Sequence, residues 1–392
     1  MKHPKFAIVN DWYGPEIVGG VEIAISEMTE AFLRSKIDFK IFTPRQKGHI
    51  GEHSINGTKI NYILLPFFRL KYTTSQVILV LEKFRVYVDP LSPLILITQI
   101  KKYGPDFILF NEIERFGPWL LILIRFFFRK NQLIRIQHDL SDTCLKRSRN
   151  YKSKNCNPIC KFCKPKNFLY SRLSHQMATN ICVSNFIEQD LCASRYNVKQ
   201  SQVGYPISIF SETVSSQTTL NFKRSRSKYA LGYVGRITKL KGVETILMAA
   251  ALCEPNWEVH LIGPCTPKYN IKLQKIADNL KLKLFIYAAS SEPYRLLKPK
   301  VDCLVIASES FESFGKVSIE AVTSGIPIIS TNTGGLSEAL SFFDPKPQIF
   351  ESGSPSSLAL CLESFKTKSN LRVHIPSEFT LTSKIYDITG SR

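Results

Sequence analysis

Two glutamates, Glu312 and Glu320, stand with seven residues between them in the segment ESFESFGKVSIEAVTSGIPIISTNTGGLSE, residues 309–338. Carboxylates suit vicinal hydroxyls, because an ionised carboxylate accepts several hydrogen bonds. On a single helix this spacing is a little over two turns, which would set both groups on roughly one face about 12 Å apart. Phe314-Gly315-Lys316 between them argues for a different arrangement. Glu312 belongs in a loop ahead of the helix, Gly315 allows a sharp entry, and Glu320 lies inside the helix among Val317, Ile319, Ala321 and Val322. A carboxylate in such apolar company needs a strong partner, since burying an unpaired charge is costly, and ligand hydroxyls are one such partner. The spacing alone also fits two acids on a solvated helix face.

Upstream, Ala230-Leu231-Gly232-Tyr233-Val234 reads as a short buried strand, followed by Gly235-Arg236 and by Lys241-Gly242 opening an apolar-periodic helix. A strand running through glycine into a helix start presents backbone N–H groups and a positive dipole end to an anion. Arg236 and Lys241 add fixed charge at that edge, and Arg grips phosphate oxygens bidentately. With 52 Lys and Arg in the chain, two exposed cations on an ordinary loop are easily found by chance. The order of the motifs decides. Gly235-Arg236, Lys241-Gly242, His260-Leu261-Ile262-Gly263, the two glutamates and Gly334-Gly335-Leu336-Ser337-Glu338 follow one another. That order resembles the retaining glycosyltransferases of the GT-B type, family 4.

The resemblance implies an α/β fold with two Rossmann-like, doubly wound domains facing each other across a cleft. It implies that the C-terminal domain holds a nucleotide-sugar donor, with Arg236 and Lys241 neutralising the leaving diphosphate. Glu320 would hold the ribose hydroxyls and Glu312 those of the transferred sugar. Backbone N–H groups of Phe314, Gly315, Lys316 and Val317 would meet sugar and phosphate oxygens. Catalysis then requires no metal cofactor. Two departures leave uridine against guanosine open: Gly204-Tyr205-Pro206-Ile207 replaces an Asn-Gly-x-Asp turn, and Tyr287-Ala288 follows a strand that usually ends in glycine.

The N-terminal half carries the same resemblance. Phe6-Ala7-Ile8-Val9-Asn10 is an apolar strand, and Gly19-Gly20-Val21-Glu22 begins a helix with Ile25, Met28, Phe32 and Leu33 on its apolar positions. Taken alone, Gly19-Gly20 reads as a plain tight turn; the family places such a loop beside the donor phosphates. Asp106–Phe110 and Leu133–Ile136 read as buried strands, the second running into Gln137-His138-Asp139. Ligands gather outside the carboxyl ends of strands in open α/β sheets, so His138 points towards a cleft. A lone histidine is more often structural, but the family has one here, near the sugar's anomeric centre. Ile181-Cys182-Val183-Ser184-Asn185-Phe186 resembles the family's strand-to-helix step.

Cys144, Cys156, Cys160 and Cys163 follow closely. Four such thiols can close a tetrahedral structural zinc site, or they are unligated thiols on a basic loop; the spacing leaves both readings open. A subset of the resembling enzymes carries a similar cluster. No secretory leader is visible, since Lys2, Lys5 and a short strand run straight into Asp11, so the expected location is cytoplasmic and disulfides are not expected.

At 392 residues and 44% hydrophobic content the chain can build two or three cored domains. The expected division is an N-terminal domain 1–205 with a Cys-rich insertion at 140–166, a polar linker 206–228, a donor domain 229–375, and a tail 376–392 folding back on the first domain. A net charge of +20 exceeds what one diphosphate requires. It suggests an anionic membrane surface, with the stretch 63–100, including Leu94-Ile95-Leu96-Ile97, as interfacial amphipathic helices at the inner face. No charge-free apolar run reaches spanning length. Nucleic acid is not expected: the basic residues are dispersed and no histidine pair completes a zinc finger. The expected partners are a nucleotide-sugar donor and a glycan or lipid-linked acceptor. A silent glycan-binding GT-B protein and a nucleotide-sugar epimerase are the rivals.

Overall fold

The computed structural model describes residues 4–14, 19–45, 49–65, 85–145, 147, 150–151, 154–156, 159–196, 201–207, 229–254, 257–365 and 372–390. They divide into two compact units, one of residues 1–209 with 377–392 and one of residues 210–376. From residue 208 onward, the expected linker lies outside the described residues, as do residues 66–84 of the expected interfacial stretch.

The first unit is built on strands β1 (Phe6–Val9), β2 (Phe39–Pro44), β3 (Gly51–Ile55), β4 (Thr58–Ile63), β5 (Phe107–Phe110) and β6 (Leu133–Gln137). A small hairpin, β7 (Asn150–Tyr151) and β8 (Lys154–Asn155), precedes β9 (Thr179–Cys182) and β10 (Ser201–Val203). Runs such as FAIV and LIRIQ are buried at every position, which a strand covered on both faces requires. The sheet order is β10-β9-β6-β5-β1-β2-β4-β3, parallel except for the β3–β4 hairpin. Chain direction across the sheet reverses between β1 and β5, so Asn10-Asp11 and Asn111-Glu112 flank its switch point.

Helices cover the sheet. Gly20–Arg34 buries Ile25, Met28 and Phe32. Leu91–Tyr103 buries Leu96, Ile97 and Ile100 in the unit's core. This corrects the interfacial reading of the Leu94–Ile97 run: its apolar stripe faces the sheet, where burial from water already satisfies it. The helix Leu381–Thr389 also belongs here. Leu381 and Ile385 enter the same core, Tyr386 stacks on Phe32 at 5.9 Å, and Leu381 N–H donates to the Tyr205 carbonyl at 2.7 Å.

The second unit carries β11 (Ala230–Val234), β12 (Glu258–Ile262), β13 (Leu284–Tyr287), β14 (Cys303–Ile306) and β15 (Ile328–Ser330). β16 (Phe343–Asp344) pairs with β18 (Arg372–Val373), and β17 (Gln348–Ile349) closes the main sheet. The order β13-β12-β11-β14-β15-β17 is parallel throughout, with its switch point between β11 and β14. No helix among the described residues is long and apolar enough to cross a membrane.

Candidate functional site

The loops after β11 and β12 are shaped by glycine. Gly242 has φ +69°, and a Cβ there would come within 1.9 Å of the Ala307 carbonyl oxygen, so the loop after β11 lies directly against the end of β14. Gly263 has φ +147°, and its Cβ would fall 1.9 Å from the Gly235 oxygen, which seats the loop after β12 on the loop after β11. No other residue fits these approaches.

That packing brings Lys241 to Glu312. The Lys241 ammonium donates to the Glu312 carboxylate, and so does the Ser308 hydroxyl. Burial pushes this carboxyl upward, but the Lys241 charge and hydrogen bond, Ser308 and nearby Arg236 outweigh it and hold Glu312 below the usual carboxylate range. Glu312 therefore stays ionised. Its backbone is fixed too: Gly335 N–H donates to the Glu312 carbonyl at 2.7 Å, and Thr333 Oγ1–H donates to the Ser310 carbonyl at 3.2 Å. Arg236 is exposed beside this cluster.

Gly315, at φ +88°, turns the chain into the helix Lys316–Thr323, so Glu312 lies in the loop ahead of it and Glu320 inside it. The helix has no side-chain cap at its start, where Phe314 is buried and the N–H groups of Lys316 and Val317 begin the first turn. The expected apolar setting of Glu320 is corrected. The helix buries Ser318, Ile319, Ala321 and Val322, while the Glu320 side chain is 28% exposed and already partnered. Tyr294 Oη donates to Glu320 Oε2 at 2.6 Å, and Lys316 Nζ lies 3.4 Å from Oε1, one helical turn away. Tyr294 and Ser308 carry no motif; Ser308 is findable only as a polar residue just past a buried strand. The altered end of β13 is occupied within the unit: Tyr287 Oη meets His260 Nδ1 at 3.1 Å, and His260 stacks on Phe285 at 4.6 Å.

In the first unit His138 follows β6, 7% exposed, with Nε2–H donating to Asn111 Oδ1 at 2.9 Å. Burial, then the charge of Arg135, depresses its pKa to about 3, so the ring is neutral and Nδ1 is its acceptor nitrogen. Asn111 is 1% exposed and its Nδ2 has no hydrogen-bond partner. Beneath the histidine, Arg135 pairs with Asp142 at 2.9 Å, and Gln137 and Tyr196 donate to the same carboxylate at 3.0 and 2.9 Å.

Acids gather along this edge in an otherwise basic chain. Arg147 Nη1 meets Glu112 at 2.8 Å and Asp139 at 3.4 Å, and its Nη2 meets Glu114 at 2.6 Å. Lys166 adds a contact to Glu114 at 2.7 Å. Burial, against the pull of Arg147 and with repulsion from Asp139, Asp11 and Glu22, raises Glu112 to about 8. Burial likewise raises Asp11 to about 6. Gly19 is extended at φ −172° and Gly20 begins the helix Gly20–Arg34, and a Cβ on Gly20 would meet nothing within 4 Å. Neither glycine makes a tight turn among the described residues, so that reading is corrected. Cys160 and Cys163 lie with sulfurs 3.5 Å apart.

Residues 218–377 match the family described as glycosyl transferases group 1. That match covers less than half of the chain and falls mostly within the second unit. Over 198 residues it is 26% identical to a D-inositol 3-phosphate glycosyltransferase of Arthrobacter sp. (strain FB24), covering 45% of this chain and 44% of that protein. Over 131 residues it is 32% identical to the D-inositol 3-phosphate glycosyltransferase of Corynebacterium urealyticum, 29% of each chain. The chain thus spans less than half the length of these curated relatives. Among solved structures, sucrose-phosphate synthase from Thermosynechococcus elongatus superposes with a TM-score of 0.67 at 17% identity, covering 92% of this chain and 89% of that one. Anabaena HepE in complex with UDP and glucose gives 0.62 at 15% identity, covering 100% and 95%. These likenesses establish the fold as GT-B, with two Rossmann-like sheets.

Proposed function

We propose that this protein is a glycosyltransferase moving a sugar from a nucleoside-diphosphate sugar, UDP- or GDP-linked, to a hydroxyl of a glycan or lipid-linked saccharide. The observation that carries the reading is the Lys241–Glu312–Ser308 cluster with Arg236 beside it, at the carboxyl ends of β11 and β14. Arg236 and Lys241 neutralise the diphosphate as negative charge builds on the leaving oxygen. Glu312, ionised by its neighbours, accepts from hydroxyls of the transferred sugar. Glu320 accepts from the ribose, its orientation fixed by Tyr294. The first-turn N–H groups from Phe314 to Val317 meet sugar and phosphate oxygens. Retention of configuration, His138 and Gly19-Gly20 are carried over from the resemblance; a neutral His138 serves as a hydrogen-bond acceptor and not as an acid.

The carboxyl edge around Asp11, Glu112 and Asp139, where burial raises Glu112 and Asp11, supports an acceptor that presents hydroxyls. Work on the cytoplasmic side, at an anionic membrane, is supported by the net charge of +20 and by exposed Phe162 and Phe168 with cations over their rings. The test is a thermal-shift panel of UDP-, GDP- and ADP-sugars, because a bound donor raises apparent stability as ln(1 + [L]/Kd). One nucleotide sugar should shift the transition, and Glu320→Gln should weaken that shift while the unliganded midpoint stays. Flat transitions with every donor would overturn the reading.

A further inference from the structure

Between Asp142 and Glu188 the chain has nine Lys or Arg and no acidic residue, and five of its ten cysteines fall within that stretch, four of them between 144 and 163. Such a segment repels itself and has little reason to fold unaided. It is nevertheless organised: the β7–β8 hairpin delivers Cys156, and a turn from Cys160 to Cys163 opens the helix Lys164–Leu173. The turn is closed by Cys163 and Lys164 N–H groups donating to the Cys160 carbonyl at 2.9 and 3.2 Å.

The geometry points to a closed structural zinc site built from Cys144, Cys156, Cys160 and Cys163. The Cys160 and Cys163 sulfurs stand 3.5 Å apart. Zinc–thiolate bonds of about 2.3 Å in a tetrahedron set sulfurs about 3.8 Å apart, so this pair already has nearly the required bite. Leu145 N–H donates to Cys163 Sγ at 3.4 Å, which fastens the chain beside Cys144 to the pair. Cys156 hydrogen-bonds with Cys160, and Cys144 lies within electrostatic range of Cys163. Among the described residues no three ligand side chains converge on one point, so Cys144 and Cys156 would have to move in upon the Cys160–Cys163 pair to complete the site.

Charge and softness select the ion. Four thiolates around Zn²⁺ leave a net charge of −2, costly to hold in a folded chain unless amides and cations surround it. The N–H···S bond and the acid-free, cationic stretch supply both. Thiolates without carboxylates exclude calcium and magnesium as the natural guest and favour zinc. Each thiol releases its proton to solvent on ligation, and no electrons move. The ion would tie the ends of the insertion together and hold Phe162, 56% exposed, on the loop between two ligands.

The full-length chain, purified without chelator, should contain about one zinc per molecule by elemental mass spectrometry. Exchange with Co²⁺ should give the visible bands of a tetrahedral thiolate site. Cys160→Ser and Cys163→Ser should lose the metal, whereas Cys192→Ser, at an exposed cysteine outside the cluster, should keep it. If the serine variants do not fold, the wild-type metal content and cobalt spectrum still decide. A metal-free chain without a cobalt spectrum overturns the site. So does iron in place of zinc, or an intact mass two hydrogens light with a Cys160–Cys163 disulfide.

Discussion

Lys241 and Glu312 depend on one another for stability as well as for any chemistry. Truncating the lysine leaves a half-buried carboxylate without its cation, so Lys241→Ala should cost roughly 1–3 kcal/mol by urea unfolding, besides abolishing transfer. Lys241→Met combined with Glu312→Gln removes both charges and should recover much of that stability without restoring activity. Equal losses in the single and double variants would show that the pair is not coupled. Glu112 behaves in the opposite sense. Its folded pKa of about 8 lies above the ordinary value of 4.5, so the folded chain holds a proton that the unfolded chain releases. Stability therefore falls as pH rises across that window, and Asp11 adds to the fall up to about 6. Glu112→Gln should flatten Tm against pH over the same range; an unchanged slope would place the titration elsewhere. His138, depressed to about 3, should show no ring titration by NMR near neutrality.

At the scale of elements, β6 and the loop after it stand on the buried Arg135–Asp142 pair, and that network positions His138. Asp142→Ala strands a guanidinium with 2% exposure and should cost about 3–5 kcal/mol in the first unit, read by hydrogen exchange on β5 and β6. Loss confined to the loop would mean the pair only fastens local chain. These elements also mark what was legible in the sequence. Apolar runs such as FILF and ALGYV announce buried strands, and glycines such as Gly315 mark where loops turn sharply, whereas only the order of the motifs put Lys241 and Glu312 in one site, and nothing in the sequence announces their ion pair. Tyr294 could not be read from it either, because it reaches Glu320 from a helix 26 positions away and no periodicity encodes that meeting. Leu94–Ile97 misled because an apolar stripe looks the same whether it faces lipid or a sheet.

Over the whole molecule the excess positive charge is unevenly spent. The carboxyl edge of the first sheet concentrates acids, while the cysteine-bearing stretch has none. Association with phosphatidylserine-containing vesicles should therefore weaken with salt, and Phe162→Asp with Phe168→Asp should reduce it. Equal sedimentation with neutral vesicles would remove the electrostatic explanation.

The helix Leu381–Thr389 seals the core that begins with Phe6, although the entire second unit lies between them in the chain. A ribosome making this protein thus completes the second unit while the first still waits for its closing segment. A frameshift near residue 378 should leave the second unit protected yet make the first protease-sensitive, an effect felt some 370 residues from its cause.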